Sequence, residues 1–372
     1  MNKKKNKILY LMHVDWNWIK QRPHFIAEGL VEKYSVFVLY RLNPNRKSMV
    51  KNKSKIKRMP FIPIPRRTKL ITILDNIIQR ALIHLLCFFY RPDYIWITFP
   101  NQYNYIPDSL KGKAKLIYDC MDDAPGFYTD SNKKNELIKT ESNIIKDSFL
   151  VLCSSRNLIK VLTRRYGENR YLLLRNALSE NYLNRVLSLS GDSNNESSLI
   201  KKCEEYIDIV YIGTVASWID YDSILYCLNE IKNIRFHFIG PIEKKISNGS
   251  NRVIYYGPIN HDDLIKNKDQ YDILIMPFIR NDLIESVDPV KLYEYLSFNK
   301  EVISIYYPEI KRFKDYIHFY NNKEELKGII YDLVKTDANH KNKIASTNRF
   351  LIDNTWKKRV ESVIKYLGEE NK

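Results

Sequence analysis

The segment 289–296 carries a lysine and a glutamate at a spacing that could hold a phosphorylated ligand. It opens with Pro289, and a proline starts a helix well because its missing N–H would have no partner there, so Lys291 and Glu294 should share one helix face. The helix N-terminus suits a diphosphate, Lys291 adds a positive charge, and Glu294 can accept hydrogen bonds from a ribose diol. An ordinary surface helix with an ion pair has the same spacing, so the surrounding elements must decide.

Other candidate residues follow predicted strands, where open α/β sheets bind their ligands. In the first half, His13 and Asp15 follow the first strand, and Asp122 and Asp123 follow the strand at 115–120. In the second half, the candidates after strands and in the 289–296 helix are Gly213, Thr214, Gly257, Phe278, Arg280 and Leu292.

These residues depend on a regular order of elements. Short β-rich runs alternate with helical patterns, which predicts an α/β fold with mainly parallel sheets. Strands are predicted at 7–13, 35–40, 94–99, 115–120, 149–154, 171–174, 207–212, 235–239, 253–256, 272–277 and 301–305. Helices are predicted near 22 and after 155, and at 70–89, 133–146, 223–231, 261–267, 289–298 and 323–335.

Length and composition favour two domains, because 372 residues with 44% hydrophobic content can form two cores. A polar, turn-rich stretch at 188–198 is typical of a linker. We predict a first domain at 1–185, a linker at 186–206, a second domain at 207–340, and a C-terminal helix at 341–372 that packs back on the first domain.

The cysteines and the N-terminus indicate a reduced, cytoplasmic protein. The five cysteines are scattered without a Cys-x-x-Cys pair, so neither a disulfide framework nor a zinc site is indicated. The basic residues 1–7 precede a short apolar run that His13 and Asp15 interrupt, too early for a signal peptide. We expect no secretion signal in this segment.

The net charge of +17 is concentrated in one arm. Residues 41–69 contain eleven Lys or Arg and no Asp or Glu, and an amphipathic helix follows at 70–89. A basic flank beside an apolar stripe fits docking on an anionic bilayer, whereas the polar residues within the stripe argue against a membrane span. The candidate membrane or acceptor contacts are Arg58, Arg66, Arg67, Lys69, Ile73 and Ile77.

Two other interpretations of this arm stay open. A core helix beside a solvated basic loop would carry the same stripe. Nucleic acid is the least favoured partner, since no nucleic-acid-binding module is recognisable and the arm lacks interleaved aromatics before Phe61. We therefore expect no nucleic-acid partner.

Over nearly its whole length the chain resembles bacterial glycosyltransferases of the GT-B fold. The segments similar to the donor site of that superfamily, a Pro-x-Lys-x-x-Glu-Tyr-Leu run followed by Gly-Lys-Pro-Val, are 274–278, 288–296 and 300–304. The segments similar to the teichuronic-acid-type transferases and, more distantly, the xanthan glucuronosyltransferase are Trp16 with 21–24, 118–123 and 355–359. The resemblance implies two doubly wound, Rossmann-like α/β domains that face each other across a cleft.

The resemblance also implies an activity, the transfer of a sugar from a nucleotide-diphosphate donor, expected to be UDP-linked. The acceptor is expected to be a polyprenyl-diphosphate-linked or growing cell-surface polysaccharide, such as capsule, O-antigen or a teichuronic-acid-like polymer. The enzyme would work at the inner face of the cell membrane, which suits the basic arm. The rival interpretation is a GT-B-like scaffold that binds a nucleotide sugar or the membrane without turnover.

Each candidate takes a role from this resemblance. Asp122 or Asp123 is the first choice of base for the acceptor hydroxyl, because a buried pair of like charges would raise the pKa of one carboxyl. His13 and Asp15 come second, since the unperturbed pKa of histidine is near neutral. An aspartate could instead cap a turn, and His13 could make a local hydrogen bond.

The donor would lie on the second domain. Gly213 and Thr214 would let the diphosphate approach the backbone, and Gly257 would shape the loop beside the nucleobase. Arg280 and Lys291 would bind the diphosphate, although Arg280 could equally be a solvated charge at the rim.

Some residues depart from the superfamily. Retaining family 4 enzymes carry a Glu-x7-Glu pair, but Ser286 stands eight residues before Glu294 and Glu285 is one residue out of register, so we favour inversion. Asn299 and Glu301 replace the usual Gly and Pro.

A further short motif, Asp220-Tyr221-Asp222, has the form of the Asp-x-Asp metal site of GT-A enzymes. That site belongs to another fold, and a helix N-terminus with cations can take the place of a metal. We expect these carboxylates to cap the helix that starts near Ser223, and we expect neither a metal nor a cofactor to be required.

Overall fold

The computed structural model describes residues 5–43, 54, 56–61, 68–110, 112–188, 199–200, 203, 205–245, 251–335 and 341–369, except the side chains of Lys69 and 341–343. The chain divides into two compact units. Unit 1 comprises Met1–Asn176 and Trp356–Lys372, and unit 2 comprises Ala177–Thr355.

The bounds of the elements follow in chain order. The strands are β1 Lys7–Met12, β2 Ser35–Arg41, β3 Lys57–Phe61, β4 Tyr94–Ile97, β5 Lys115–Cys120, β6 Ser148–Cys153, β7 Tyr171–Leu173, β8 Ile207–Ile212, β9 Ile234–Ile239, β10 Val253–Gly257, β11 Ile273–Met276, β12 Glu301–Ile305 and β13 His318–Tyr320. The α-helices are α1 Arg22–Leu30, α2 Lys69–Tyr90, α3 Ser131–Asp147, α4 Arg156–Tyr166, α5 Glu180–Ser188, α6 Tyr221–Glu230, α7 His261–Lys266, α8 Asp282–Glu285, α9 Val290–Ser297, α10 Lys323–Lys335, α11 Lys341–Asp353 and α12 Trp356–Glu369.

Unit 1 is built on a seven-stranded sheet in the order β3-β2-β1-β4-β5-β6-β7, with every pair parallel. Its central strands are apolar runs that are buried on both faces, as parallel sheets covered by helices require. The helices α1, α2, α3 and α4 connect β1 to β2, β3 to β4, β5 to β6 and β6 to β7, as in a doubly wound α/β unit.

Unit 2 repeats this construction with six parallel strands in the order β10-β9-β8-β11-β12-β13. The order reverses at β8, where β9 lies on one side and β11 on the other. Ligands of doubly wound sheets bind beyond the carboxyl ends of the strands at such a reversal. Two parallel-sheet α/β units agree with the predicted fold class.

The unit boundary differs from the boundaries expected from composition. It falls between Asn176 and Ala177, before the predicted 186–206 linker, because α5 buries Leu183 and Val186 in the core of unit 2. Residues 189–198 of that linker lie outside the described residues.

The segment 341–372 was predicted as one helix on the first domain, and the structure has two helices there. The first, α11, belongs to unit 2, and the second, α12, belongs to unit 1. Within unit 1, α12 packs on α1, with the rings of Trp356 and Phe25 stacked at 5.4 Å.

Candidate functional site

Three glycines form a row along the carboxyl edge of the unit 2 sheet. Gly213 follows β8, Gly240 follows β9 and Gly257 ends β10, and these three strands are neighbours. The amide of Gly213 donates to the carbonyl of Ile239 at 2.7 Å, and the amide of Gly240 donates to the carbonyl of Gly257 at 2.8 Å. The row presents bare backbone where a ligand of a doubly wound sheet is expected.

Close packing excludes side chains from two of these positions. A Cβ on Gly213 would collide with Cε of Lys291 and would lie 2.8 Å from the hydroxyl of Tyr211, and a Cβ on Gly240 would collide with the carbonyl of Gly213. Their φ angles, 154° and 144°, also favour glycine. Sequence reasoning had selected Gly213 and Gly257 and missed Gly240; the Gly-Pro pair after a predicted strand could have found it.

Lys291 lies in the first turn of α9 and reaches the glycine row. It is half-buried, and burial lowers its pKa below that of an ordinary lysine, while Glu294 opposes that shift. Among the described residues its ammonium group has no hydrogen-bond partner. A half-buried ammonium group without a hydrogen-bond partner among the described residues is a candidate for binding an anion.

Glu294 lies one turn further along the same face of α9. Burial raises the pKa of its carboxyl, whereas His261 and Lys291 lower it. His261 begins α7, which directly follows the loop after β10, so Glu294 lies towards the β10 end of the glycine row. Its position keeps a carboxylate beside the row for hydroxyl donors such as a ribose diol.

The hydroxyl of Tyr295 fixes α9 against the end of β8. It accepts a hydrogen bond from the amide of Ile212 at 2.8 Å and donates to the carbonyl of the same residue at 3.2 Å. Pro289 occupies the N-cap of α9 without a side-chain cap, so the amides of the first turn point out of the helix without a capping oxygen. A helix end of this kind suits an anion.

Arg312 anchors the chain that leads into α9. Its guanidinium pairs with Asp288, donates to the hydroxyl of Tyr293 at 3.0 Å and donates to the carbonyl of Glu309 at 2.6 Å. Asp288 is the residue before Pro289, so this buried pair fixes the entry into the helix. The sequence contained no local signal for Arg312, because its partner lies 24 residues earlier.

The remaining donor candidates are placed differently from one another. Phe278 and Leu292 point their side chains into the core of unit 2, so only their backbone can face a ligand. Thr214 accepts a hydrogen bond from the Tyr211 hydroxyl through its carbonyl at 3.0 Å. Arg280 is exposed, and its Nε lies 2.7 Å from a carboxylate oxygen of Glu285.

Three further positions of unit 2 that the sequence singled out are Asp220, Ser286 and Asn299. Asp220 caps α6 by accepting from the amide of Ser223 at 3.1 Å, which confirms the capping role for this residue, whereas Asp222 lies in the first turn of the helix. Ser286, at the position of the first family 4 glutamate, is buried at 2% exposure, and Asn299 has the left-handed φ of 54° that Asn tolerates in place of Gly.

The expected buried pair of carboxylates in unit 1 is wrong. Asp122 is exposed, whereas Asp123 forms a bidentate ion pair with Arg165. Nη1 and Nη2 of Arg165 donate to Oδ1 and Oδ2 of Asp123 at 2.8 and 3.1 Å. Arg165 also lies 3.5 Å from the buried carboxyl of Glu141, whose pKa is raised by burial. The nearest charged partner of Asp123 is therefore the Arg165 cation, and the second carboxyl of the site is Glu141 rather than Asp122.

His13 and Asp15 lie directly after β1. Nδ1 of His13 is 2.8 Å from the Thr98 hydroxyl, and burial, with smaller effects of Arg41 and His24, lowers the pKa of His13 to about 4. His13 is consequently neutral at pH 7.

Both carboxylate oxygens of Asp15 accept backbone hydrogen bonds. One accepts from the amide of Asn17 at 2.9 Å and the other from the amide of Asn43 at 2.8 Å. Asp15 is 7% exposed. These hydrogen bonds connect the loop after β1 to the loop after β2.

A buried ion pair joins two of the motifs on which the resemblance rests. Nε and Nη2 of Arg22 lie 2.9 and 2.7 Å from Oδ1 of Asp119, and Nη1 donates to the carbonyl of Leu174 at 2.6 Å. The guanidinium also lies over the ring of Trp356 at 6.0 Å. These motif residues therefore connect α1, β5 and α12 within unit 1.

The helix α2 is exposed on its apolar side. Ile73 and Ile77 are 55% and 58% exposed, whereas Asp75 and Gln79 face inward and are nearly inaccessible. Ile83 and Cys87 also face inward and join the core of unit 1, so α2 buries part of its apolar surface and exposes the rest. By length and hydropathy, Leu70–Tyr90 could cross a membrane. The polar residues within the stripe therefore do not exclude a membrane span by composition. The other exposed apolar side chains are Leu70, Leu74, Ile78, Leu85, Phe88 and Phe89.

The basic candidates beside α2 are only partly described. Arg58 is held in place, donating to the carbonyls of Ser54 and Ile56 at 3.1 and 3.3 Å and lying over the Trp16 ring at 5.2 Å. It is therefore not a freely extended charge. Arg66, Arg67 and the side chain of Lys69 lie outside the described residues.

Comparison of the folds places this chain among GT-B structures. Sucrose-phosphate synthase from Thermosynechococcus elongatus has a TM-score of 0.71 at 9% identity, covering 98% of this chain and 99% of that one. Anabaena HepE, solved with UDP and glucose, has a TM-score of 0.69 at 12% identity, covering 97% and 99%. A Rickettsia africae glycosyltransferase has a TM-score of 0.68 at 14% identity, covering 99% of both chains. The predicted GT-B fold is thus confirmed.

A more similar sequence carries a more specific name. "Putative teichuronic acid biosynthesis glycosyltransferase TuaH" of Bacillus subtilis (strain 168) is 25% identical over 246 residues, 61% of this chain. The match spans 59% of that relative's length. No protein-family model matches the chain.

Proposed function

We propose that this protein is a glycosyltransferase that binds a nucleotide-diphosphate sugar, most favourably a UDP-sugar, on unit 2. The observation that carries this proposal is the position of Lys291, a half-buried cation at the N-terminus of α9 packed against Gly213. The diphosphate would lie over Gly213 between the helix amides and the ammonium group. The similarity to HepE, a structure solved with UDP and glucose, supports this choice of ligand.

The proposed reaction is a direct displacement. The acceptor hydroxyl attacks the anomeric carbon, its C–O bond forms as the bond to the diphosphate breaks, and the hydroxyl proton passes to a base. Lys291 and the α9 amides stabilise the charge that develops on the leaving diphosphate, so no metal is assigned. Buried Ser286 in place of a carboxylate supports inversion over retention.

The candidates for the base differ in chemistry. Asp122 is exposed at the end of β5, whereas Asp123 is paired with Arg165 and Asp15 accepts two amides. His13 is neutral but its lowered pKa makes it a weak base. Asp122 is therefore the first choice.

The acceptor is proposed to be a lipid-linked or growing cell-surface polysaccharide at the inner face of the cell membrane. The exposed apolar side of α2 gives the physical support, because such a surface next to a basic segment can insert at an anionic interface. The name of the Bacillus subtilis relative supports a polysaccharide acceptor.

Thermal stabilisation by nucleotides tests the donor proposal, since a ligand that binds only the folded state raises the melting temperature. We expect UDP to stabilise the wild-type protein and to have little effect on Lys291→Ala, with Lys266→Ala, an exposed lysine on α7, as the matched control. If no nucleoside diphosphate raises the melting temperature, the donor proposal is wrong.

A second measurement separates the enzyme from the scaffold. Radiolabelled sugar from a panel of UDP-sugars should appear in a polyprenyl-diphosphate-linked product made by the wild-type protein. Asp122→Ala should lose this transfer and keep UDP stabilisation. UDP binding without transfer or donor hydrolysis, across the whole panel, would favour a non-catalytic scaffold.

A further inference from the structure

An aromatic side chain stands exposed beside the proposed diphosphate site. Trp218 lies in the turn after β8 with 36% of its surface exposed, next to Ile279, which is 44% exposed. Its carbonyl accepts from the amide of Ile279 at 2.7 Å, and the next residue, Ile219, bridges to Phe278. The turn is therefore tied to the loop after β11.

The side chain of Trp218 lies near a residue that also lines the glycine row. Burial raises the pKa of Tyr211, and an interaction with the Trp218 side chain opposes that rise, so the indole lies near the Tyr211 hydroxyl. That hydroxyl donates to the carbonyl of Thr214 at 3.0 Å. The same hydroxyl is 2.8 Å from the point where a Cβ on Gly213 would lie. A single exposed apolar residue is common on any surface, but this one lies near the hydroxyl group that borders Gly213.

Topology places Trp218 and Glu294 on opposite sides of that backbone. The chain passes from β8 to β9 through α6 and from β11 to β12 through α9. These two crossovers move in opposite directions along the order of strands in the sheet. Right-handed crossovers in opposite directions lie on opposite faces. The turn with Trp218 leads into α6, whereas Glu294 lies in α9 and faces His261.

A nucleotide sugar carries its ribose and its hexose on opposite ends of the diphosphate. With the ribose at Glu294 and the diphosphate at Lys291, the hexose extends away from Glu294, towards the loops after β8 and β11. Trp218 and Ile279 are the exposed apolar groups of those two loops. A flat aromatic face suits the apolar C–H face of a hexose ring.

We propose that Trp218 is a specificity-determining residue on which the hexose of the donor stacks, an inference that rests on the proposed function. The nucleotide itself would bind through Lys291 and Glu294 without Trp218. Removing the ring should consequently weaken the binding of the sugar nucleotide and leave the binding of the nucleoside diphosphate unchanged.

Calorimetric titration with UDP and with UDP-hexoses tests this separation. For the UDP-hexose that wild type binds most tightly, Trp218→Ala and Trp218→Leu should raise Kd about tenfold, because the apolar contact between the indole and the hexose would be lost. Kd for UDP should stay within about twofold, and Trp218→Phe should restore most of the affinity. Tyr331→Ala, which removes an aromatic residue 50% exposed on α10, is the matched control.

Fluorescence gives an independent readout. The other tryptophans, Trp16, Trp18, Trp96 and Trp356, belong to unit 1, so Trp218 is the single tryptophan of unit 2. The difference in emission between wild type and Trp218→Phe should change with the UDP-hexose and not with UDP.

The possible outcomes distinguish a failure of the stacking role from a failure of the proposed function. Equal losses for UDP and UDP-hexose, or a wild-type protein that binds UDP-hexose no more tightly than UDP, would overturn the stacking role while leaving the donor site intact. A wild-type protein that binds neither would overturn the proposed function and the inference together. Melting curves without ligand identify any variant that fails to fold, and the fluorescence comparison between wild type and Trp218→Phe then carries the test.

Discussion

Cε of Lys291 occupies the space that any side chain at position 213 would need, so Gly213 and Lys291 form one structural unit although 78 residues separate them in the chain. The glycine lets the lysine lie across the end of β8, and Tyr295 holds the helix that carries the lysine. The donor site of unit 2 thus depends on a missing side chain as much as on a charge.

Gly213→Ala should therefore disable UDP binding by displacing Lys291. The added methyl group must move Lys291 or the backbone, so we expect Kd for UDP to rise at least tenfold and stability to fall by about 1–3 kcal/mol. Calorimetry and urea unfolding measure the two effects. Gly328→Ala is the control, since its Cβ meets no atom within 4 Å and should be neutral or stabilising. Unchanged UDP affinity in Gly213→Ala would contradict the close packing.

Lys291→Met should lose ligand binding and gain stability. Methionine keeps the volume of the lysine stem and removes a half-buried charge. The free energy of unfolding without ligand should therefore rise by on the order of 1 kcal/mol, and the melting temperature should rise with it. Loss of a charge-assisted contact should raise Kd for UDP roughly 10- to 100-fold. A variant that is destabilised without ligand would indicate that Lys291 serves the fold.

The pH dependence of UDP binding offers a second test of Lys291. Because burial lowers the pKa of Lys291 in the protein without ligand, Lys291 loses its charge at a lower pH than an ordinary lysine does. Affinity for UDP should fall as the pH rises through this pKa, and Lys291→Arg, which keeps its charge, should bind UDP with less loss at alkaline pH. Equal alkaline losses in both proteins would exclude Lys291 as the titrating group.

The sequence predicted much of the unit 2 site because its residues are local to strand ends. The strands β8 and β12 have the predicted bounds, and Lys291 and Glu294 lie on α9 as the proline indicated. Gly240 and Arg312 were missed, since the role of each is fixed by a partner far away in the chain. The strand β3 was also missed, because its Lys and Arg gave the appearance of a basic loop at the edge of the sheet.

Unit 1 was harder to predict for a related reason. The expectation for Asp122 and Asp123 assumed that adjacent carboxylates share one environment. Successive residues after a strand end point in different directions, and Arg165, on α4, pairs with Asp123 while Asp122 is exposed. Charge balance at that point is a tertiary property, which one segment cannot reveal.

Asp123→Asn and Asp122→Asn should consequently have different effects. Asp123→Asn breaks the pair with Arg165 and leaves that cation beside buried Glu141, so stability should fall by about 1–3 kcal/mol. Asp122→Asn changes an exposed side chain, and its stability should stay within about 0.5 kcal/mol of wild type. Urea unfolding measures both. Equal destabilisation by the two substitutions would contradict the assigned environments.

Acid should destabilise the protein partly through His13. Its pKa in the folded state is about 4, below the 6.5 of an unperturbed histidine, so the unfolded chain binds a proton at intermediate pH that the folded chain does not. Stability should therefore fall as the pH drops from about 6.5 to about 4, and His13→Gln should make that slope shallower. Identical slopes in wild type and His13→Gln would refute the assignment.

The exposed side of α2 should bind anionic membranes. Ile73→Asp with Ile77→Asp places charges on the face that would enter the interface, so binding to phosphatidylglycerol vesicles should be lost while the melting temperature changes little. Ile83→Ala, at 2% exposure on the inward side, should instead cost about 2–4 kcal/mol of stability and leave the folded protein able to bind vesicles. Co-sedimentation with vesicles of graded anionic content measures the binding. If the wild-type protein sediments equally with neutral vesicles, the basic flank has no part in docking, and if the double variant still binds, the apolar face of α2 is not the membrane surface.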